Sequence, residues 1–490
     1  MIRGDIAGYV PLFIAIGGIA IYFITKFLPP AYRKWSGSLT AFVLLAAFSI
    51  FLIISFQHAS LLDISYIGLT GGLVITGIGA FAAFASQGNL DPEGPVHLYY
   101  PLFLFALAGA TAIGFSTDLF AIFVMVELSA IPVYSLVAYR HREDPAALSA
   151  AMKYLFQGVM GTITALLGVA FLFMAGHTLS LSELPGALAG ANQSLVIVAA
   201  VLLLLGYGVK LAIVPLHTWL PDAYARAPVG VTAIMVGATK TGVLIALFLS
   251  LSSLPANAAV PKTIGILITF FAVLTMTAGN LLALNHRDLR YILAYSSIAQ
   301  MGYILLGFGI GMLYNLPLGF VAGLYYAIAY AIMKSGAFMV TDSFGKSAGS
   351  FEYAKMVGLG ARHPLLGISL MIFIFGLIGV PFTCGFLGKL LLEQAGMVTS
   401  MMSGVILALI LALNSFISLG YYIPVLSTIL FRPDKTAGLD RPAEISVKPH
   451  WSLVSAVVVL AAVTVYFGLF PESYNWIAHA SSQLFTWGVQ

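Results

Sequence analysis

Apolar runs of roughly 20 residues or more, long enough to cross a bilayer core of about 30 Å as helices, recur along the whole sequence. Water cannot accept such runs exposed, and lipid cannot satisfy an unpaired backbone. The accessible folds are therefore a bundle of membrane-spanning helices or a closed barrel. The runs lack the ten-residue alternation of an outer-membrane barrel. The expectation is an all-α polytopic membrane protein. Hydrophobic residues make up 60% of the 490 and charged residues 8%, with a mean hydropathy of +1.00, against about 25% charged in a soluble domain. That balance excludes a soluble enzyme, a disordered chain and a nucleic-acid binder. The net charge of +4 is therefore not a basic patch. Cys384 is the only cysteine, which excludes an internal disulfide and any cysteine-built zinc or iron–sulfur site. No glycine-rich nucleotide fingerprint occurs, so neither a cofactor nor a metal is expected. The first run, from Gly8 to Leu28, exceeds a signal-peptide core, and its basic residues Lys26, Arg33 and Lys34 follow it, so it reads as a retained helix.

Pro, Gly and charge breaks divide the chain into about fourteen spans, at 8–28, 38–56, 64–85, 97–115, 117–139, 149–175, 194–217, 228–252, 262–283, 289–311, 316–341, 364–396, 401–430 and 449–470. The division at Ser116-Thr117-Asp118 rests on N-cap chemistry and on the excessive length of a single helix from His97 to Tyr139. Of the 22 Lys and Arg residues, five lie inside spans. Fifteen of the others fall on one side, from Lys26 to Lys448, and only Arg3 and Lys262 on the other. By the positive-inside rule the fifteen mark the cytoplasm and both termini lie outside, in a cell membrane. The longest polar connection, from Arg432 to His450, is cytoplasmic on this reading, and the tail with Trp476, Phe485 and Trp487 reads as a short interfacial segment.

The charges inside the spans carry the functional signal. They are Glu127 and the lysines Lys153, Lys210, Lys240, Lys334 and Lys389. Each costs roughly 2.5–3.5 kcal/mol at mid-bilayer, so six would cost on the order of 15–20 kcal/mol if additive. That rivals the net stability of a whole domain. Buried charges of this kind mark an ion or proton path.

Glu127, in AIFVMVELSAIPVY, is either a structural counter-ion or the acid that tunes a partner lysine. Lys210, in GYGVKLAIVPLHTWLPDAYARAP, precedes Pro215 and Pro221, so its helix breaks and must find protein or water partners. His217, just past Pro215, is a proton carrier or a structural histidine at the headgroup level, where Trp219 also points. Lys240 sits mid-span among Ala238, Thr239, Thr241 and Gly242, which leave room for water. Lys334 follows Tyr330 by one turn, on the same face. Lys389 lies in GLIGVPFTCGFLGKLLLEQA, broken by Gly379, Pro381, Gly385 and Gly388. Pairing with Glu393 at i+4, or snorkelling to the interface, is its bland reading. Lys153, near a span start, snorkels as readily as it conducts. Moving a carboxylate from about 7 Å to far away changes its interaction with a lysine by roughly 2.4 kcal/mol at an effective dielectric of 20, enough to load or empty a proton site. Spans 7 and 12 share the broken helix with one lysine and stand an odd number of spans apart. This suggests two inverted five-helix repeats, 97–252 (helices 4–8) and 253–430 (helices 9–13), preceded by helices 1–3 in 1–96 and followed by a loop, helix 14 and a tail in 431–490.

The stretches DLFAIFVMVELSAIPVYSL, KLAIVPLHTWLPDAYARAPVGVTAIMVGATKTG, GNLLALNHRDLRYILAYSSIAQMGYILLG, AIAYAIMKSGAFMV and GVPFTCGFLGKLLLE resemble the antiporter-like membrane subunits of respiratory complex I, membrane-bound hydrogenases and Mrp cation/proton antiporters. The resemblance implies a fourteen-helix core with inverted repeats around two broken helices. It implies that Glu127 is the span-5 glutamate, Lys210 its partner, Lys240 the central lysine and Lys389 the terminal residue of the second half. Lys334 falls where the family carries lysine or histidine, and His217 matches the histidine after the broken helix. Lysine at 389 and MKY at 152–154 look like the N-type subunit, or the D-type subunit of Mrp; HTWLPDAYARAP looks like the M-type. The lateral helix of the L-type is absent. The expected function is proton, or else sodium, translocation as a non-redox subunit of a multisubunit oxidoreductase or translocase. Its partners would be the other membrane subunits and the bilayer. Two alternatives stay open: a stand-alone secondary transporter of an anionic solute, and a structural scaffold.

Overall fold

The computed structural model describes residues 6–57, 66–88, 90, 95–255, 259–399, 401–431, 447–472 and 475. Its helices follow the apolar runs. The first half holds α1 (Ile6–Phe27), α2 (Ser36–Gln57), α3 (Tyr66–Ser86), α4 (Val96–Ile113), α5 (Leu119–Val137), α6 (Pro145–Gly176), α7 (Gln193–Leu211), the short α8 (Leu220–Arg226) and α9 (Val229–Ser252). The second holds α10 (Ala259–Leu284), α11 (Leu289–Tyr314), α12 (Pro317–Ala348), α13 (Pro364–Ile378), α14 (Cys384–Val398), α15 (Met402–Leu430) and α16 (Trp451–Leu469). Thirteen of the described helices are long and apolar enough to span a bilayer. The fourteenth expected span, 364–396, is α13 and α14, of 15 residues each, joined by a break. Among the described residues there is no β-strand, only two isolated bridges. Arg3, Arg432, Lys435, Arg441 and the tail with Trp476, Phe485 and Trp487 lie outside the described residues.

The helix starts obey capping chemistry. Asp118 accepts from Ala121 N at 2.7 Å to begin α5, as the sequence predicts, and Asp288 accepts from Arg290 N at 2.8 Å to begin α11. Each of these aspartates also bridges to the strand-like residue that follows the next long helix, Asp118 to Ser180 and Asp288 to Glu352. Burial sorts the bundle: α3, α9, α11 and α12 are covered almost all round, whereas α1, α2, α10, α15 and α16 turn apolar side chains outward.

Two glycines let α6 and α7 meet backbone to backbone. A Cβ at Gly206 would lie 2.5 Å from Ala165 N and 2.6 Å from Gly161 O, neither of which can yield. Gly206→Val is expected to cost roughly 1–3 kcal/mol through overpacking. A lower thermal unfolding midpoint in detergent checks this, and an unchanged midpoint refutes the crossing.

Both breaks fall where Gly and Pro foretell them. α7 ends at Leu211 with Ala212 at φ 59°, and the chain runs without helix to Trp219. The freed Val209 carbonyl accepts from Trp219 Nε1 at 2.8 Å, and Val214 N donates to Thr275 Oγ1 at 3.1 Å. Trp219 is thus buried and closes the break. α13 ends at Gly379, φ 99°, and Thr383 caps α14.

Candidate functional site

Four lysines are buried inside the bundle: Lys210, Lys240, Lys334 and Lys389 are each 5% exposed or less. Lys210, on the last turn of α7, donates to Glu127 Oε1 of α5 at 3.0 Å and to Tyr134 Oη at 3.1 Å, one helical repeat further along the same face. An ammonium with a carboxylate and a phenol as acceptors is satisfied at membrane depth.

A cavity of about 20 Å³, room for one or two water molecules, has both Lys210 and Lys240 in its wall, with Ser129, Tyr154, Trp219 and Thr239. The two lysines therefore share one small space of a size to admit water. Lys240 begins the regular part of α9 directly after a π-helical turn, Met235–Thr239. Among the described residues its nitrogen has no hydrogen-bond partner, and it faces the rings of Tyr224 at 5.4 Å and Tyr330 at 5.8 Å. Aromatic faces hold a cation without fixing it as an oxygen would. The π turn is a strained element that tends to mark functional positions.

Tyr330 leads to Lys334, one turn on in α12. The Lys334 ammonium donates to Ser296 Oγ of α11 and to Tyr422 Oη of α15, the latter at 3.2 Å. Ser296 and Tyr422 are bonded to each other at 2.6 Å. Beyond them Tyr421 donates to Asn280 Oδ1 of α10 at 2.8 Å, and Asn280 Nδ2 donates to Tyr303 Oη at 3.1 Å. The Tyr303 ring lies 4.7 Å under the Lys389 nitrogen.

Lys389 donates to the carbonyls of Leu377 and Ile378, both at 2.9 Å. These are last-turn carbonyls of α13, left without helical partners by the break and carrying the negative end of the helix dipole. The break thus builds a cation site out of backbone. Lys389 neither snorkels nor forms an ion pair with Glu393 among the described residues.

The structure therefore brings together five of the six expected residues: Glu127, Lys210, Lys240, Lys334 and Lys389. His217 stands apart. It lies half-buried in the first break, and no hydrogen bond or ion pair among the described residues ties it to a lysine. Lys153 is 54% exposed and pairs with Asp222 at 2.6 Å, which is the snorkelling reading. Sequence reasoning missed Tyr134, Ser296, Asn280, Tyr303 and Tyr422. Asn280 carries the same signal as the lysines, a polar side chain inside an apolar run, only weaker.

A bundle of this kind, with broken helices and lysines strung through its middle, is an antiporter-like membrane subunit. The comparisons agree, and the chain belongs to the family described as NADH:quinone oxidoreductase/Mrp antiporter, whose membrane-region model matches residues 116–418. It is 34% identical over 413 residues to NADH-quinone oxidoreductase subunit N of Geobacillus kaustophilus, covering 82% of this chain and 80% of that one. It is 31% identical over 418 residues to F(420)H(2) dehydrogenase subunit N of Methanosarcina mazei, again covering 82% and 80%. Among solved structures, a chain of the membrane-bound sulfane sulfur reductase, an archaeal respiratory membrane complex, superposes with a TM-score of 0.86 at 25% identity, over 99% of this chain and 98% of that one. A chain of respiratory complex I from Thermus thermophilus gives 0.76 at 25% identity, over 94% and 97%. A chain of the Mrp complex from a Dietzia species gives 0.83 at 21% identity, over 98% of each, which speaks to the fold alone.

Proposed function

We propose that the chain moves protons across the membrane as the N-type subunit, itself without a redox centre, of a multisubunit respiratory assembly. The observation that carries this is the line of buried polar groups from Glu127 through Lys210, Lys240 and Lys334 to Lys389, hydrogen-bonded in stretches and joined between them by the small cavity and by tyrosine ring faces. Protons enter from the cytoplasmic side, load onto Lys240 by way of Lys210 or His217, pass Lys334 and leave outside from Lys389. Glu127 sets the charge state of Lys210. Both termini lie outside on this reading, which the distribution of basic residues supports. A buried lysine takes up and releases a proton, whereas no cluster of carboxylates among the described residues offers a sodium ion a cage, which favours the proton.

Two inverted repeats organise the path. In support, the two aspartate caps with their bridges, at α5/α6 and at α11/α12, stand five spans apart, and so do the two broken spans. The stand-alone solute transporter finds no support at the lysines, because the space between Lys210 and Lys240, about 20 Å³, is too small for a solute. A cavity of about 930 Å³ exists elsewhere, among Phe48, Phe56, Phe81, Ile332 and Phe467, but the lysines do not line it.

The test is Lys389→Ala in the intact assembly, reconstituted in vesicles. Redox turnover in the presence of an uncoupler is expected to stay near normal, while protons moved per electron fall severalfold. A silent scaffold would keep full coupling.

A further inference from the structure

An axis that joins two sides of a membrane must conduct in steps. If Lys334 and Lys389 exchanged protons freely at all times, the gradient would leak back through the chain. The link between them therefore needs something that proton hopping cannot cross.

Hydroxyls pass protons readily, because one oxygen accepts from one neighbour and donates to the next. An amide does not. To relay a proton, its oxygen must take one while its nitrogen gives one up, and the resulting imidic acid must revert before the next transfer. Asn280 stands between the two ends: on one side Tyr421 packs ring against ring with Tyr422, the Lys334 partner, at 4.4 Å, and on the other the Tyr303 ring lies under Lys389. Tyr421 donates to Asn280 Oδ1 at 2.8 Å, and Asn280 Nδ2 donates onward to Tyr303 at 3.1 Å.

The orientation of this amide is fixed by groups that only accept. Asn280 Nδ2 also lies 3.1 Å from the backbone carbonyl of Asn414 and 3.1 Å from Asn414 Oδ1. Asn414 is held in turn: its own Nδ2 donates to the Ile410 carbonyl at 3.0 Å and to Thr277 Oγ1 at 3.2 Å. Turning Asn280 over would set its oxygen against two acceptors, an arrangement that a buried site does not tolerate. The second connection toward Lys389 also ends on an amide. Tyr326 donates to Gln300 Oε1, and Gln300 Nε2 donates at 3.4 Å to the Leu377 carbonyl, which itself accepts from Lys389 and has no proton to give.

We propose that Asn280, locked by Asn414, is the insulating junction of the axis, which separates the Lys334 and Lys389 proton sites until a rearrangement or an entering water bypasses it. Asn280 is a positioning residue, not a proton carrier. The inference rests on the reading of the lysines as a proton path.

The experiment compares Asn280→Asp, Asn280→Ser and Asn280→Leu with wild type in the intact reconstituted assembly. Two quantities are read: passive proton permeability under an imposed pH gradient, with the membrane potential clamped by valinomycin and potassium and a pH dye inside, and protons moved per electron. A carboxylic acid accepts a proton on one oxygen and releases one from the other, so nothing is consumed and one proton moves. A serine does the same through its hydroxyl, with less disturbance of packing. Both variants are expected to raise passive permeability about tenfold, a barrier change of about 1.4 kcal/mol, and to lower coupling while redox turnover persists. Asn280→Leu is expected to insulate as well as asparagine does and to leave permeability at the wild-type level. Asp and Ser variants as tight as wild type would overturn the proposal, and so would a leaky Leu variant. Lys389→Ala separates the two levels of argument: full coupling in that variant sinks the proton path itself, whereas its loss of coupling beside a tight Asn280→Asp sinks only the junction.

Discussion

Lys240→Met and Lys240→Arg are both expected to abolish most coupled proton movement, while the assembly still forms and still turns over its redox substrates with an uncoupler present. Among the described residues Lys240 is the one buried lysine on the axis whose nitrogen makes no hydrogen bond; it is held by the faces of Tyr224 and Tyr330 and borders the cavity it shares with Lys210. A group so loosely tied gains or loses a proton without breaking a network. Methionine keeps the length and the packing but has no site for a proton, and volume-conserving swaps of this kind cost little stability. Arginine keeps the positive charge but does not release its proton in a protein. If Lys240 acts as a carrier, both variants lose roughly 100-fold or more of the coupled rate, the scale on which a positioned proton-transfer group contributes. If it acts only as a fixed charge that tunes its neighbours, arginine rescues. Proton uptake measured on vesicles, with assembly content checked by gel, decides between the two.

The lysines were legible because membrane burial makes an ammonium expensive whatever its neighbours are. The breaks at 212–219 and 379–383 were legible because Pro215, Gly379 and Pro381 cannot continue a helix. What each break does was not legible. That the Leu377 and Ile378 carbonyls turn to Lys389, or that Trp219 caps Val209, depends on the path taken by the chain after the helix stops, and residue type does not encode that path. The span 364–396, read as one helix broken at Gly379 and Pro381, is α13 and α14 on either side of that break. The π turn before Lys240 leaves no residue signature, since Met235–Thr239 is ordinary membrane-helix sequence. The Asn280–Asn414 pair joins positions 134 residues apart, through a contact between α10 and α15 that no local pattern announces. His217 is legible by its residue type and its place after Pro215, which suit a proton carrier; it lies half-buried in the first break, and no hydrogen bond or ion pair among the described residues ties it to a lysine.

The Glu127–Lys210 pair allows stability and transport to be separated. At 3.0 Å, a unit charge pair at an effective dielectric of 20 is worth about 5 kcal/mol before desolvation is subtracted. Glu127→Gln preserves shape and an acceptor oxygen but leaves an ammonium that is 5% exposed without its counter-charge. Lys210→Met leaves the carboxylate unpaired in the same way. Breaking one side of a buried pair costs roughly 3–5 kcal/mol, whereas replacing both partners by neutral groups of similar volume is often neutral or stabilising. Each single variant is therefore expected to melt several degrees below wild type in detergent, and the double variant Glu127→Gln/Lys210→Met to recover most of that loss. Transport should not follow. If Glu127 sets the charge on Lys210, and Lys210 passes protons to the cavity it shares with Lys240, all three variants are deficient in protons moved per electron, the stable double variant included. Recovery of coupling along with thermal stability would make the pair a structural clamp and remove Glu127 and Lys210 from the path. Recovery of stability alone would assign them to proton movement, because the same side chains would then be dispensable for the fold and required for the current.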